Sequence, residues 1–254
     1  VTYSSNNANA SFAKTGDIIT LSFTGSENLM SIATGGTDPV ATIATAAAVE
    51  SGTGASWTAT YTMQANDAET AIPFTIDFND IAGNIGTRVT GLTSGSSITY
   101  DETVPTLTTV SIASNNSGGA TLATVGNVIT LSIVALENIQ TPTVTIGGNA
   151  ATIATGSNGE TSYTATYTML ATDAAAAPIA FTVDFKDLAN NDGTQVVVLA
   201  NDLDGGVTFD KQAPSFTTVS IASNNSTNTL AKVGDIITLT LTSDEAIRTG
   251  ADPT

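Results

Sequence analysis

Histidine and cysteine are both missing from the 254 residues, and positive charge is scarce: six Lys and Arg stand against 23 Asp and Glu, for a net charge of −17. Without cysteine there is no disulfide framework, no thiolate nucleophile and no thiolate metal site. Without histidine, Ser-His, Cys-His and His-metal arrangements cannot be assembled. Too few cations are present to neutralise a run of phosphates, which excludes nucleic acid as a partner and disfavours an anionic membrane surface. No apolar run of membrane length and no signal-peptide pattern occurs, so direct membrane insertion of this segment is not expected. Val1 already reads as part of a strand, and an export signal is expected to lie outside this stretch.

Apolar residues are plentiful. They make up 41% of the chain, too many for a disordered acidic polymer, so folded cores are expected. Their arrangement is periodic on two scales. "VTYSSNN" starts at Val1 and "VSIASNN" at Val110 and again at Val219, a step of 109 residues each time. Each opening leads into a related stretch: "FAKTGDIITLSFTGSENL", "LATVGNVITLSIVALENI" and "LAKVGDIITLTLTSDEAI". "WTATYTM" at Trp57 matches "YTATYTM" at Tyr163, and "YDETVPT" at Tyr100 matches "FDKQAPS" at Phe209. A fixed long period indicates tandem domains. The boundaries expected are 1–105, 106–214 and 215–254, the third copy holding only its first two strands.

Within a copy the period is two. Ile19, Leu21 and Phe23 alternate with Thr20, Ser22 and Thr24, and Trp57, Ala59, Tyr61 and Met63 alternate with threonines. That pattern fits half-buried antiparallel strands with hydroxyls on the outer face. Trp57, Tyr163, Phe78 and Phe185 fall in the inward phase and are expected in the core. About seven such runs per copy make the fold class all-β: tandem seven-stranded β-sandwiches in a linear array. "QANDAET" and "LATDAAAAP" are expected to form a helical turn capped by Asp67 and Asp173.

The openings, "GDIITLTLTSDEAI", "YTATYTM", "DFKDLANNDG" and "FDKQAPS" together resemble the bacterial immunoglobulin-like repeats of large surface adhesins and cell-surface layer proteins. The resemblance implies an extracellular, secreted string of sandwiches, often stiffened by calcium between neighbouring modules.

The acidic residues carry the functional expectation. In a seven-stranded sandwich the loops after the second and sixth strands share one end, which also receives the preceding linker. In copy two this places Asp101 and Glu102 of the linker, Glu137 after the second strand, and Asp184 and Asp187 after the sixth at one junction. The corresponding set in copy one is Glu27, Asp77 and Asp80; in copy three it is Asp210, Asp244 and Glu245. Two carboxylates about 5 Å apart at an effective dielectric near 20 repel by roughly 3 kcal/mol, so either they splay into water or a cation lies between them. Hard oxygen ligands with no His or Cys point to Ca²⁺ in a structural role. The spacing does not match an EF-hand loop. Pro105 and Pro214 fit stiffened connections.

No enzyme is expected, because a catalytic carboxylate pair is rarely duplicated in tandem and these acids fall at a junction. The leading expectation is a non-enzymatic stalk or surface-lattice segment whose partners are neighbouring repeats of its own chain and identical chains in a lattice or filament. Two alternatives stand beside it. One is a filament joined by strand exchange, in which another subunit completes the third copy; the other is an adhesin module that binds glycan or protein directly, for which Tyr3 and Tyr100 are the exposed-aromatic candidates.

Overall fold

The computed structural model describes residues 1–197 and 206–247, and these form small, mostly antiparallel sheets with one 3-10 turn at Ile32–Thr34 and no α-helix among the described residues. The chain divides into two compact units, Val1–Phe209 and Asp210–Thr254. The first unit holds two hydrophobic cores. All members of one lie between Val1 and Tyr100, and all members of the other between Leu107 and Phe209. The expected boundary near residue 105 therefore falls between cores.

The first half of this unit, repeat 1, contains β1 (Thr2–Ser5), β2 (Phe12–Ala13), β3 (Ile18–Thr24), β4 (Val40–Ile43), β5 (Ala46–Ala47), β6 (Val49–Thr53), β7 (Ser56–Thr62), β8 (Phe74–Asp77) and β9 (Thr99–Tyr100). One sheet has the order β1-β3-β7-β6, another β5-β4-β8, and β2 runs parallel to β9. Repeat 2 follows the same plan with β10 (Leu107–Ser114), β11 (Leu122–Ala123), β12 (Val128–Ile139), β13 (Thr143–Ile146), β14 (Asn149–Ala150), β15 (Thr152–Thr155), β16 (Glu160–Thr168), β17 (Phe181–Asp184) and β18 (Thr208–Phe209). Its sheets are β10-β12-β16-β15, β14-β13-β17 and the parallel pair β11-β18.

Alternation sets the register. Ile19, Leu21 and Phe23 on β3 face Tyr61, Ala59 and Trp57 on β7, and in repeat 2 Ile129, Leu131 and Ile133 face Tyr167, Ala165 and Tyr163. Apart from Tyr61 and Tyr167, which are half-buried, the apolar side of each pair is buried and the threonine side is not, as period-two patterning requires. Threonines also meet across the smaller sheets: Thr42–Thr75 at 2.8 Å and Thr145–Thr182 at 2.7 Å. Trp57 and Tyr163 are buried as expected, with the indole N–H donating to the Gly54 carbonyl and the Tyr163 hydroxyl within reach of the Ile139 and Ser157 carbonyls. Phe185 is buried, whereas Phe78 is only half-buried at the edge of its core.

The helical turns expected at Asp67 and Asp173 are not helical. The Asp67 carboxylate accepts the Gln64 N–H at 2.8 Å, its own N–H returns to the Gln64 carbonyl, and the Tyr61 hydroxyl donates to it at 3.1 Å. Asp173 does the same with Leu170 and Tyr167. A single turn closed this way satisfies its polar groups locally, and nothing offsets the cost of nucleating a helix.

The second unit consists of β19 (Phe216–Ser223) paired antiparallel with β20 (Ile237–Ser243). Val219, Ile221, Leu239 and Leu241 are exposed on this pair.

Candidate functional site

Three of the residues named from sequence come together. Asp101, Glu137 and Asp187 each offer a carboxylate oxygen, and these oxygens all lie within 4.8 Å of one another. It is the one such group of three found among the described residues.

Each arrives on a different segment. Asp101 follows β9 directly; its N–H donates to the Ala13 carbonyl, and its carboxylate accepts the Thr103 N–H at 3.1 Å. Glu137 rides on a bulge. The register of β12 against β16 passes from Val134↔Ser162 to Ile139↔Glu160, which swings the intervening β12 residues out of the ladder. Asp187 lies beyond β17, where it bridges Ile139, and the Gln140 N–H donates to the Lys186 carbonyl. Asp187 is 1% exposed, and its carboxylate is held by Asn191, whose N–H donates at 2.8 Å and whose amide donates at 2.7 Å.

Repeat 1 supplies the other wall of this site. The Asn191 amide also donates to the Asp101 carbonyl at 2.9 Å. The β1–β2 loop reaches over the turn after β17: Asn7 donates to the Ala189 carbonyl at 2.8 Å, Asn9 to Leu188 at 3.1 Å, and the Lys14 ammonium to Asn190. Asn190 donates back to the Asn7 side-chain oxygen at 2.9 Å. Asn190 has φ 68°, where repeat 1 has Gly83 at φ 89°; Asn tolerates this left-handed conformation better than most residues, and Gln140 holds its side chain at 2.8 Å. The site is thus a seam between repeats.

Its electrostatics are one-sided. Burial and then the Asp187 charge push the Asp101 carboxyl above the ordinary range, with Glu69 adding to the effect. Glu137 is raised by burial first, then by Asp101, Asp187 and Glu69. The cations of this unit are engaged elsewhere: Lys14 on the Asn190 carbonyl, Arg88 on Asp77 and Lys186 on Asp192.

Glu69 was not among the residues named from sequence. It holds the linker itself, accepting the Glu102 N–H at 2.9 Å and the Thr103 hydroxyl at 2.9 Å. The only sequence signal was one more acid in the loop before β8, and nothing local ties that loop to the linker.

The remaining acids named from sequence are placed apart from the trio. Glu102 turns back into repeat 1, accepting from Thr15 at 2.7 Å and Tyr100 at 2.9 Å. Asp184 is exposed and accepts from Gln195 at 2.7 Å; Asp77 likewise pairs with Arg88 at 2.7 Å, which lowers its carboxyl. The physical reason is spacing: residues three apart at a strand end point to opposite faces, so the first Asp of each pair faces out. Asp80 repeats the Asp187 arrangement, accepting Asn84 N–H at 2.8 Å and its amide at 2.6 Å, which lowers its carboxyl, while Glu27 is exposed. In the second unit Asp244 accepts the Ser215 N–H at 2.8 Å and hydroxyl at 2.6 Å, Asp210 accepts the Gln212 N–H, and Glu245 is raised by lost hydration and then by the Asp210 and Asp244 charges. The linker Asp and the Glu after the second strand therefore approach each other there too.

Tyr100 is fully buried and Tyr3 is half-buried, its ring 5.1 Å from that of Phe74. No helix among the described residues is long and apolar enough to cross a membrane.

No protein-family model matches this chain, and no curated protein matches it. Eight solved chains do, among them SGBP-B of the Bacteroides ovatus mixed-linkage glucan utilization locus, solved in complex with a mixed-linkage heptasaccharide. The alignment has 16% identity and a TM-score of 0.21, and it covers 91% of this chain and 52% of that one, so this chain spans about half the length of that protein.

Proposed function

We propose that this chain is a non-enzymatic, extracellular segment of tandem immunoglobulin-like repeats, with a joint between successive repeats that is held by direct docking and locked by a divalent cation. The strand order supports the immunoglobulin-like reading. β1-β3-β7-β6 corresponds to strands A, B, E and D of that fold and β4-β8 to C and F, while β9 pairs parallel with β2. The observation that carries the functional reading is the trio Asp101, Glu137 and Asp187, drawn from three segments to the seam where the Asn7 loop grips the turn after β17.

The donor set fits calcium. Two oxygens on opposite sides of one Ca²⁺ stand at most about 5 Å apart, all three ligands are carboxylates, and zinc or copper would favour the absent His and Cys. A bound cation supplies the positive charge that Lys14, Arg88 and Lys186 do not. Residues of both repeats hold it, and the seam then resists bending. Modules of this kind work as spacers, because each contacts mainly its neighbours and length follows copy number. Trp57, Tyr100 and Tyr163 point inward and are not placed for direct ligand stacking, whereas Tyr3 is half-buried and Phe216 is exposed.

Small-angle scattering of the full chain, with calcium and with excess chelator, tests the reading. Calcium should lengthen and narrow the distance distribution. Identical curves in both conditions, together with no calorimetric heat on calcium addition, reject it.

A further inference from the structure

The two complete repeats treat one carboxylate differently. In repeat 2, Asp173 Oδ1 accepts the Tyr167 hydroxyl at 3.2 Å and the Asn149 side-chain amide at 3.2 Å. In repeat 1, Asp67 Oδ1 accepts the Tyr61 hydroxyl at 3.1 Å, and Ala46 stands where repeat 2 has Asn149. Strand pairing fixes the equivalence: Ile43 faces Ala46 across the β4–β5 turn as Ile146 faces Asn149 across the β13–β14 turn. Ala46 has no side-chain donor. Among the described residues, nothing takes the second place on Asp67 Oδ1.

Space is kept there. A cleft of about 330 Å³ opens beside Asp67, within the range of small-ligand pockets. Ala44, Ala46, Ala68, Ile72 and Pro73 give it an apolar wall. Part of that wall is built under strain. Ala44 and Thr45 have φ 51° and 69°, where repeat 2 has Gly147 and Gly148 at 61° and 79°. A two-residue hairpin turn of this hand favours Gly or Asn, and a β-branched residue is strained in it. Repeat 1 tolerates the strain, and both of the side chains it introduces line the cleft. Every residue of the cleft belongs to repeat 1, so the site depends neither on the carboxylate trio nor on its cation.

The chemistry selects an occupant. It must donate a hydrogen bond, as the Asn149 amide does in repeat 2. Asp67 is half-buried and acidic, and the cations of this unit are engaged at Asn190, Asp77 and Asp192. A charged donor is therefore favoured over a neutral amide. Asp67 Oδ2 already accepts the Gln64 N–H at 2.8 Å, which opposes the two-oxygen grip of a guanidinium and suits a single ammonium. The apolar wall suits the alkyl stem that carries such a group. We infer that this cleft binds a primary alkylammonium group, of a free amine or of a partner protein's lysine side chain, with its nitrogen on Asp67 Oδ1. This adds a recognition site to a chain otherwise read as a spacer.

Titration of the isotope-labelled full chain, followed by backbone amide chemical shifts, tests it with n-butylammonium, butyramide and n-butanol. Butylammonium should give saturable shifts at Ala46, Gln64 and Asp67, with both neutral probes at least about tenfold weaker. Ala46→Asn plants repeat 2's own amide on the oxygen and should weaken butylammonium at least about tenfold. Ala47→Ser, on the opposite phase of β5, should leave binding unchanged. Asp67→Asn removes the charge and should weaken binding as well; it decides the matter if thermal melts show that Ala46→Asn does not fold. No saturable shifts at these amides, an equal response to butyramide, or undiminished binding by the folded variant would overturn the inference. A capped lysine, Nα-acetyl-lysine methylamide, separates the two sources. Binding as tight as that of butylammonium admits a lysine side chain, and failure to bind restricts the cleft to free amines; both support the alkylammonium assignment.

Discussion

The side-chain amide of Asn191 donates to the Asp187 carboxylate at 2.7 Å and to the Asp101 backbone carbonyl at 2.9 Å, so one residue ties the turn of repeat 2 to the linker leaving repeat 1. Asn84 has the first of these bonds, to Asp80, in an exposed setting. Asn191→Ala leaves a buried carboxylate short of a donor and cuts the link between repeats. It should cost about 1–3 kcal/mol in denaturant unfolding of the full chain, the usual penalty for stranding a buried polar partner. Asn84→Ala should cost less, about 0.5–1.5 kcal/mol. Equal losses would mean that the seam adds nothing to the Asn191 interaction.

The seam and the outer acids respond to pH in opposite directions. Asp101 and Glu137 have folded carboxyls raised above their ordinary values of 3.8 and 4.5. Between those values and the raised ones the folded state holds more protons than the unfolded, so stability falls as pH rises through the window. Asp77 and Asp80 are lowered below 3.8. Their contribution is present above the ordinary value and is lost as pH falls through the lowered one. Chelated protein should therefore gain stability on mild acidification from neutral pH, then lose it in stronger acid. Thermal melts across pH check this. Saturating calcium should remove the gain, because a cation favours the ionised carboxylates.

Neutralising Glu137 should change sign with calcium. In chelator, Glu137→Gln removes repulsion from Asp101 and Asp187, and after solvent screening the stabilisation is on the order of 1 kcal/mol. In calcium the same change deletes a charged ligand, so affinity by calorimetry should fall at least about tenfold, equivalent to about 1.4 kcal/mol. Stabilisation in both conditions would leave repulsion with no cation to balance it.

Most of the strand pattern was legible because large and hydroxyl-bearing residues alternate so regularly. The register of Phe23 with Trp57 and of Ile133 with Tyr163 follows from matching those phases. The convergence of Asp101, Glu137 and Asp187 was legible too, since loop positions follow from strand count. The error over Asp184 was avoidable: an odd separation from Asp187 already assigns the two to opposite faces. Glu69 and the Asn7–Asn190 contacts were not legible. Neutral amides carry no chemical signature, and their partners lie more than a hundred residues away, reached only after both repeats have folded.

The last glycine of each "NIG" and "NDG" turn explains a recurrence that charge does not. A Cβ at Gly193 would lie 2.3 Å from the Phe185 ring, and one at Gly86 would lie 2.2 Å from the Phe78 ring. Neither glycine is in the left-handed region, so the constraint is space rather than backbone freedom. Phe185 is buried in the core of repeat 2 and cannot swing away, while Phe78 is half-buried at an edge. Gly193→Ala should therefore destabilise by about 1–3 kcal/mol, as overpacking does, and Gly86→Ala by less. Shrinking the ring relieves the clash: in the double variant Gly193→Ala with Phe185→Leu, the two penalties should add to less than their sum, since the residues touch. Unfolding of the two single variants and the double measures that coupling. Simple additivity would show that the ring already has room and that the glycine recurs for another reason.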